Sequence, residues 1–299
     1  MANYDDAGRE LVRFSPAFRS GELQVPPGLT MLHSLTGFLD AGAAGALAVN
    51  EMLTELPSTV VAEFDLDVLY DYRARRPRMT FLTDHYGQME MPQLQVLLMK
   101  DTVGDPFLLL TGPEPDFRWQ AFAASVTQVA RVLQPELVVG MHAIPWPAPH
   151  TRPVQLTRHS ATRSLVGDQV PMVGDIEVPG HVAGLLEITL AEAGFTTMGF
   201  AAHVPHYVSA TEYPPAGHAL LHAVEQATGL VLPATLELRA SEAAAEIDSQ
   251  VGQSGELSEI LNVLEQQYDQ RVMQVEVDAD DIAAQVEQFL ADREEQGDA

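Results

Sequence analysis

Apolar runs bounded by proline, glycine and aspartate divide the chain into short, alternating elements. Leu29–Leu39 is mostly apolar, as a strand covered on both faces should be. Asp40, Ala41 and Gly42 break the run. Ala46, Val49, Leu53 and Leu56 then recur at helical spacing until Pro57 stops the helix. Thr59–Phe64 reads as strand again, so this stretch has the order of a βαβ unit, for which a right-handed crossover is expected. Val68–Tyr72, Met79–Thr83, Leu94–Met99 and Phe107–Leu110 all predict strands, separated by Pro, Gly and Asp turns. Phe122, Val126, Val129, Ala130 and Leu133 lie on one face of a helix ended by Pro135, and Leu137–Gly140 is a short central strand. Residues 143–180 are rich in proline and predict a long ordered insertion with one strand near Val154–Arg158. Val182, Leu185, Leu186, Leu190 and Ala193 mark a helix before Gly194, Phe195–Val204 a strand, and residues 215–228 a helix closed by Gly229. The first 28 residues, with Pro16, Pro26 and Pro27, read as an arm or a short leading strand, and no internal repeat is visible.

The character changes after residue 230. Residues 237–299 hold 17 acidic residues against three arginines, a net of −14 out of −26 for the chain. Leu257, Ile260, Leu261, Leu264 and Tyr268 define one amphipathic helix, and Ile282, Val286, Phe289 and Leu290 another. The reading is an α/β core over 1–235 followed by an acidic helical hairpin over 236–299.

Composition narrows the classes of function. The chain is 46% hydrophobic over 299 residues, enough to bury a sizeable core. It has no cysteine, which excludes thiolate metal sites and cysteine nucleophiles. A net charge of −26 opposes phosphate backbones and anionic bilayers, so neither nucleic acid nor membrane is expected as partner. The N-terminus lacks the basic and apolar regions of a secretory signal, and no apolar stretch approaches membrane-spanning length. A cytoplasmic protein is the expectation.

Several residues are candidates for chemistry. Asp40 and Gly42 lie where the first long strand turns into a helix, at the strand edge that binds ligands in α/β sheets. The spacing is neither a P-loop nor a dinucleotide fingerprint, and helix capping by Asp40 is the preferred reading. Arg73, Arg75, Arg76 and Arg78 place four of fifteen arginines within six residues, which suits a subunit interface, an anion or a solvated turn. Glu114 and Asp116 form a carboxylate pair at a strand–helix junction, with Asp116 read as the helix cap. His142 and His206 are further ligand candidates, although Pro205 prevents His203 and His206 from forming a helical metal pair. No Gly-x-Ser-x-Gly elbow exists, and no metal or other cofactor is expected.

Four segments in order carry a resemblance: Gly37-Phe-Leu-Asp-Ala-Gly42, Tyr70-Asp-Tyr-Arg-Ala-Arg-Arg-Pro77, Leu110-Thr-Gly-Pro-Glu-Pro-Asp-Phe-Arg-Trp119 and Val204-Pro-His-Tyr-Val208. Over about residues 30–230 the chain resembles the proteasome assembly chaperone 2-like family, in its bacterial, actinobacterial-type branch. The resemblance implies a three-layer α/β/α core similar to the phosphorylase/hydrolase-like fold, self-association and an assembly role. Relatives that dock on the proteasome end in a hydrophobic residue, a tyrosine and one more residue, whereas this chain ends Gln-Gly-Asp-Ala299. The expectation is a non-catalytic, assembly-chaperone-like or scaffold protein acting as a homo-oligomer through contacts with itself and other subunits. The alternative is a hydrolase or a nucleoside- or phosphate-binding enzyme on the same core.

Overall fold

The computed structural model describes residues 11–167 and 174–270. One eight-stranded sheet organises them, in the order β1-β3-β6-β7-β2-β8-β10-β9. Its strands are β1 (Val12–Phe14), β2 (Thr30–Thr36), β3 (Ser58–Phe64), β6 (Gln95–Lys100), β7 (Pro106–Pro113), β8 (Leu137–Trp146), β9 (Leu156–His159) and β10 (Thr197–Pro205). A separate hairpin joins β4 (Met79–Leu82) to β5 (His85–Met89). The inner strands β7, β2, β8 and β10 are mutually parallel, while β6, β3 and β1 on one side and β9 on the other pair antiparallel. The parallel strands are covered on both faces. That is why β10 is buried at every position, and why its sequence shows no polar alternation.

The short helices are α1 (Pro16–Ser20), α3 (Leu66–Leu69) and α5 (Arg163–Val166). The longer ones are α2 (Ala44–Glu55), α4 (Trp119–Leu133), α6 (Val182–Glu192), α7 (Pro214–Thr228) and α8 (Thr235–Gly252), followed by α9 over 255–270. One apolar layer joins the sheet to α2, α7 and α8 through Leu47, Met52, Leu220, Val224 and Leu236. The other joins it to α4 and α6 through Phe122, Val126, Val129, Val182 and Leu186. The architecture is therefore three-layered, α/β/α, with helices after the core.

Three local expectations give way to other structures. Val68–Tyr72 is not a strand. Asp65 accepts the Asp67 N–H at 3.1 Å and caps the single helical turn α3 instead. Asp116 does not cap α4, which begins at Trp119 behind a left-handed Arg118. On α2 the buried stripe is wider than the predicted one: Ala44, Gly45, Leu47, Ala48 and Met52 face the core, and Leu53 is exposed. Small residues there let the helix sit close on the sheet, so its inward face is not marked by bulk. The second predicted acidic helix, at Ile282–Leu290, falls outside the described residues.

The chain order creates a switch point at β2. From β2 the chain crosses by α2 on one face to β3, returns through β6 and β7, and crosses by α4 on the other face to β8. Where successive connections leave on opposite faces, a crevice opens at the strand C-termini, the usual ligand position in such sheets.

Candidate functional site

Two carboxylates of the chain, Glu114 and Asp40, stand at the switch-point crevice, and each is engaged by backbone N–H groups. Glu114, just after β7, reaches across the end of β2 and accepts the Phe38 N–H at 3.1 Å with one oxygen. Its other oxygen accepts the Val182 N–H at 2.7 Å, at the positive end of α6. Gly37 lies directly against this carboxylate, and a side chain at 37 would collide with it.

Asp40 occupies the opposite face of the sheet. Its carboxylate accepts the Gly45 N–H at 2.7 Å and the Ala46 N–H at 3.1 Å, two donors of the first turn of α2. Burial raises its pKa, against those two hydrogen bonds. Gly42 adopts a left-handed φ of 64° and donates to Ser209 O at 2.8 Å. A Cβ there would lie 2.7 Å from that of Tyr213. At Gly45 the space is taken by the Ser34 hydroxyl. Both glycines are close-approach positions.

Arg75 is engaged within the chain. It donates to the Glu114 carbonyl and to Asp116 Oδ2, both at 2.6 Å, and lies 4.3 Å from the centroid of the Tyr70 ring. Asp116 also accepts the Asp71 N–H at 2.7 Å. Arg73, Arg76 and Arg78 are exposed.

The structure adds a polar cluster beneath α6 that sequence reasoning did not assemble. Met141 and Ala143 face the α2–α7 layer, so His142 between them faces α6. Its ring centroid lies 5.2 Å from that of His159 on β9 and 5.7 Å from that of His181. His159 Nδ1 is 2.6 Å from Glu187 Oε2 on α6, and Gly184 N–H donates to His181 Nδ1 at 3.1 Å. His33 on β2 completes the group, buried at 3% exposure, with its ring lying over Gly140. Burial, aided by the charges of His159 and His181 and opposed by Glu187, holds the His33 imidazole down at about 4. Burial, aided by His159, His181 and His33, lowers His142 to about 3. Glu187 is pushed up by burial, but the hydrogen bond from His159 and the nearby imidazoles reverse this and leave it below its ordinary range. At neutral pH His33 and His142 are thus uncharged imidazoles near the Glu187 carboxylate. His33 Nδ1, His159 Nε2 and Thr197 Oγ1 have no partner among the described residues. A carboxylate-oriented imidazole is half of an acid–base apparatus, but no hydroxyl among the described residues bonds His159 Nε2 as a nucleophile would. Among the described residues no group of three His, Asp or Glu is arranged to hold a metal ion.

Of the predicted residues, Glu114 and His142 both neighbour His181. Asp40 faces the other layer, and His206 is exposed on the 3-10 turn His206–Val208. His33, His159, His181 and Glu187 escaped notice. Their signal was a pair of polar residues, His33 and Ser34, inside an otherwise apolar buried strand.

The fold defines the class as an α/β/α sandwich built on a mixed sheet. Within that class the chain belongs to the PAC2 family, whose sequence model matches residues 34–253. It is 40% identical to the Mycobacterium tuberculosis unknown function protein Rv2714, covering 89% of this chain and 91% of that one with a TM-score of 0.81. A protein of unknown function from Corynebacterium glutamicum is 32% identical, covering 88% and 98% with a TM-score of 0.83. The Mycobacterium tuberculosis proteasome-assembly chaperone homologue Rv2125 is 27% identical, covering 78% and 100% with a TM-score of 0.72. No curated protein matches the chain.

Proposed function

We propose that this protein is a non-catalytic, assembly-chaperone-like or scaffold protein of the cytoplasm that works through protein–protein contacts as a homo-oligomer. The observation that carries the reading is that the carboxylates at the switch point are engaged by the chain's own backbone. Glu114 spends both carboxylate oxygens on backbone N–H groups, and Asp40 spends its own on the first turn of α2. An enzyme would leave such groups facing substrate. Kinship with the proteasome-assembly chaperone homologue supports the same reading. No helix among the described residues is long and apolar enough to cross a membrane. Light scattering at micromolar concentration tests the association directly, and a monomer would reject it. Affinity capture from the native cell, repeated with proteasome subunits added in purified form, tests the assembly role.

One observation favours the alternative of a nucleoside- or phosphate-binding protein. The unpartnered nitrogens of His33 and His159 lie under α6, in the layer next to Glu114. A thermal-shift screen against nucleosides, nucleotides and phosphate, with wild type and His159→Ala, tests it. A ligand that stabilises only the wild type would revive the enzyme reading.

A further inference from the structure

The hairpin β4–β5 stands outside the main sheet and pairs only with itself. Cross-strand partners share a face, so Met79 opposite Met89 and Phe81 opposite Tyr86 gather four large apolar side chains on one side. Those four are 46% to 70% exposed. The Phe81 and Tyr86 rings meet edge to face at 5.2 Å, forming a preformed aromatic pair. No other described element packs substantially against the hairpin. A two-stranded hairpin alone is marginal in water, and an uncovered apolar face of this size marks a contact surface.

The arm is nevertheless firmly rooted. Arg75, at its base, is fixed by Glu114, Asp116 and the Tyr70 ring. Exposed Phe38 and Phe117 adjoin those same anchors: Glu114 holds the Phe38 N–H, and Phe117 follows Asp116. Arg73, Arg76 and Arg78 remain exposed beside the arm. The occupant must therefore offer an apolar seat bordered by negative charge. A copy of this chain offers such a seat along α8 and α9, where Leu238 and Val263 are exposed among the exposed carboxylates of Glu237, Glu242, Glu246, Asp248, Glu256 and Glu259. An anionic membrane would attract the arginines but repel the rest of the molecule.

We propose that the β4–β5 arm docks onto a second copy of this chain, burying Met79, Phe81, Tyr86 and Met89 and setting Arg73, Arg76 and Arg78 against that copy's acidic surface. The inference rests on the self-association reading above and names its surface.

Sedimentation velocity on the full chain, comparing wild type with Phe81→Ser plus Tyr86→Ser, tests it. The expected result is an associated wild type and a variant whose dissociation constant is raised roughly thirtyfold or more, as for loss of an aromatic hot spot. The thermal unfolding of the variant monomer should remain cooperative, since both residues are exposed. An associated wild type with an equally associated variant overturns the arm as the interface and leaves self-association standing. A monomeric wild type overturns self-association itself. A photo-crosslinking benzoylphenylalanine at position 81 keeps the aromatic character and removes dependence on the variant's folding. Chain-to-chain adducts support the proposal, and adducts confined to one chain sink it. Flotation of wild type, but not the double variant, with phosphatidylglycerol vesicles would assign the arm to a membrane and overturn the proposal.

Discussion

Asp40 holds two backbone donors of α2 while half-buried, so its substitutions should separate capping from chemistry. Asp40→Ala removes both acceptors and should cost about 1 kcal/mol in denaturant unfolding. Asp40→Asn keeps one acceptor and should cost less. Gly42→Val should cost more than either, because Cβ at a left-handed φ meets Tyr213. A larger loss for Asp40→Asn than for Gly42→Val would reject this ranking. His33 and His142 are both buried imidazoles that make stability depend on pH, and His33 is the more deeply buried. Its folded pKa of about 4 lies below the ordinary value of 6.5, so the unfolded chain binds the extra proton between those values. Stability is therefore full above pH 6.5 and lost as pH falls towards 4, by up to about 3 kcal/mol from this residue. The groups facing it are Glu187, His159, His181 and His142. His33→Asn should flatten the loss of thermal stability between pH 7 and pH 4.5, whatever its own cost at pH 7. An unchanged slope would show that other groups dominate. The Asp40 turn was legible because its residues are neighbours in sequence. The histidine cluster was not, because β2, β8, β9 and α6 each contribute a residue or two, and a single histidine in a strand carries no sign of its partners.

Among the elements, those built on one strong apolar period were readable in advance. The stripe Phe122–Leu133 on α4 and the continuous runs of β2 and β10 face the core as their spacing predicts. One-turn pieces such as α3 were not, since four residues give no period to distinguish helix from strand. The helix α8 lies within the stretch read as acidic and helical but was not delimited, for a different reason: its sequence is acidic and alanine-rich, and only Leu236 and Val251 are buried. Yet Leu236 lies in the core, and buried Glu51 of α2 accepts the Leu236 N–H at 3.0 Å and also holds the Thr235 hydroxyl. A chain ending at residue 234 would leave that carboxylate buried without these partners, a costly state. We expect truncation after 234 to lower the melting temperature sharply, and truncation after 253, where the family match ends, to lower it much less. Equal melting temperatures for the two would make α8 an appendage and support a boundary at 235. Beyond it, α9 is moored by Arg152, whose two amino groups reach Glu265 at 3.2 Å and Asp269 at 2.9 Å. Arg152→Ala should raise amide exchange over 255–270 and leave the sheet protected. Uniformly faster exchange would show that the mooring supports the whole fold.

For the whole molecule the decisive quantity is charge, because two copies at −26 each repel before any surface can meet. Association through the β4–β5 arm would set this long-range repulsion against three short-range attractions, from Arg73, Arg76 and Arg78. The two respond differently to salt. Screening acts over roughly 10 Å at 0.1 M and roughly 3 Å at 1 M. Repulsion between whole molecules acts over tens of ångströms and fades first, whereas ion pairs in contact persist until the screening length approaches their own separation. Raising sodium chloride from about 0.01 M to about 0.1 M should therefore strengthen association, and raising it further to about 1 M should weaken it. Replacing all three arginines with serine should abolish the weakening at high salt and leave the strengthening at low salt intact, since the bulk of the net charge is unchanged. Sedimentation equilibrium across this range reads both limbs. If association in the wild type instead rises steadily with salt, apolar burial alone holds the copies together. The arginines would then have no part in the interface, and the arm's apolar face would have to account for the contact without them.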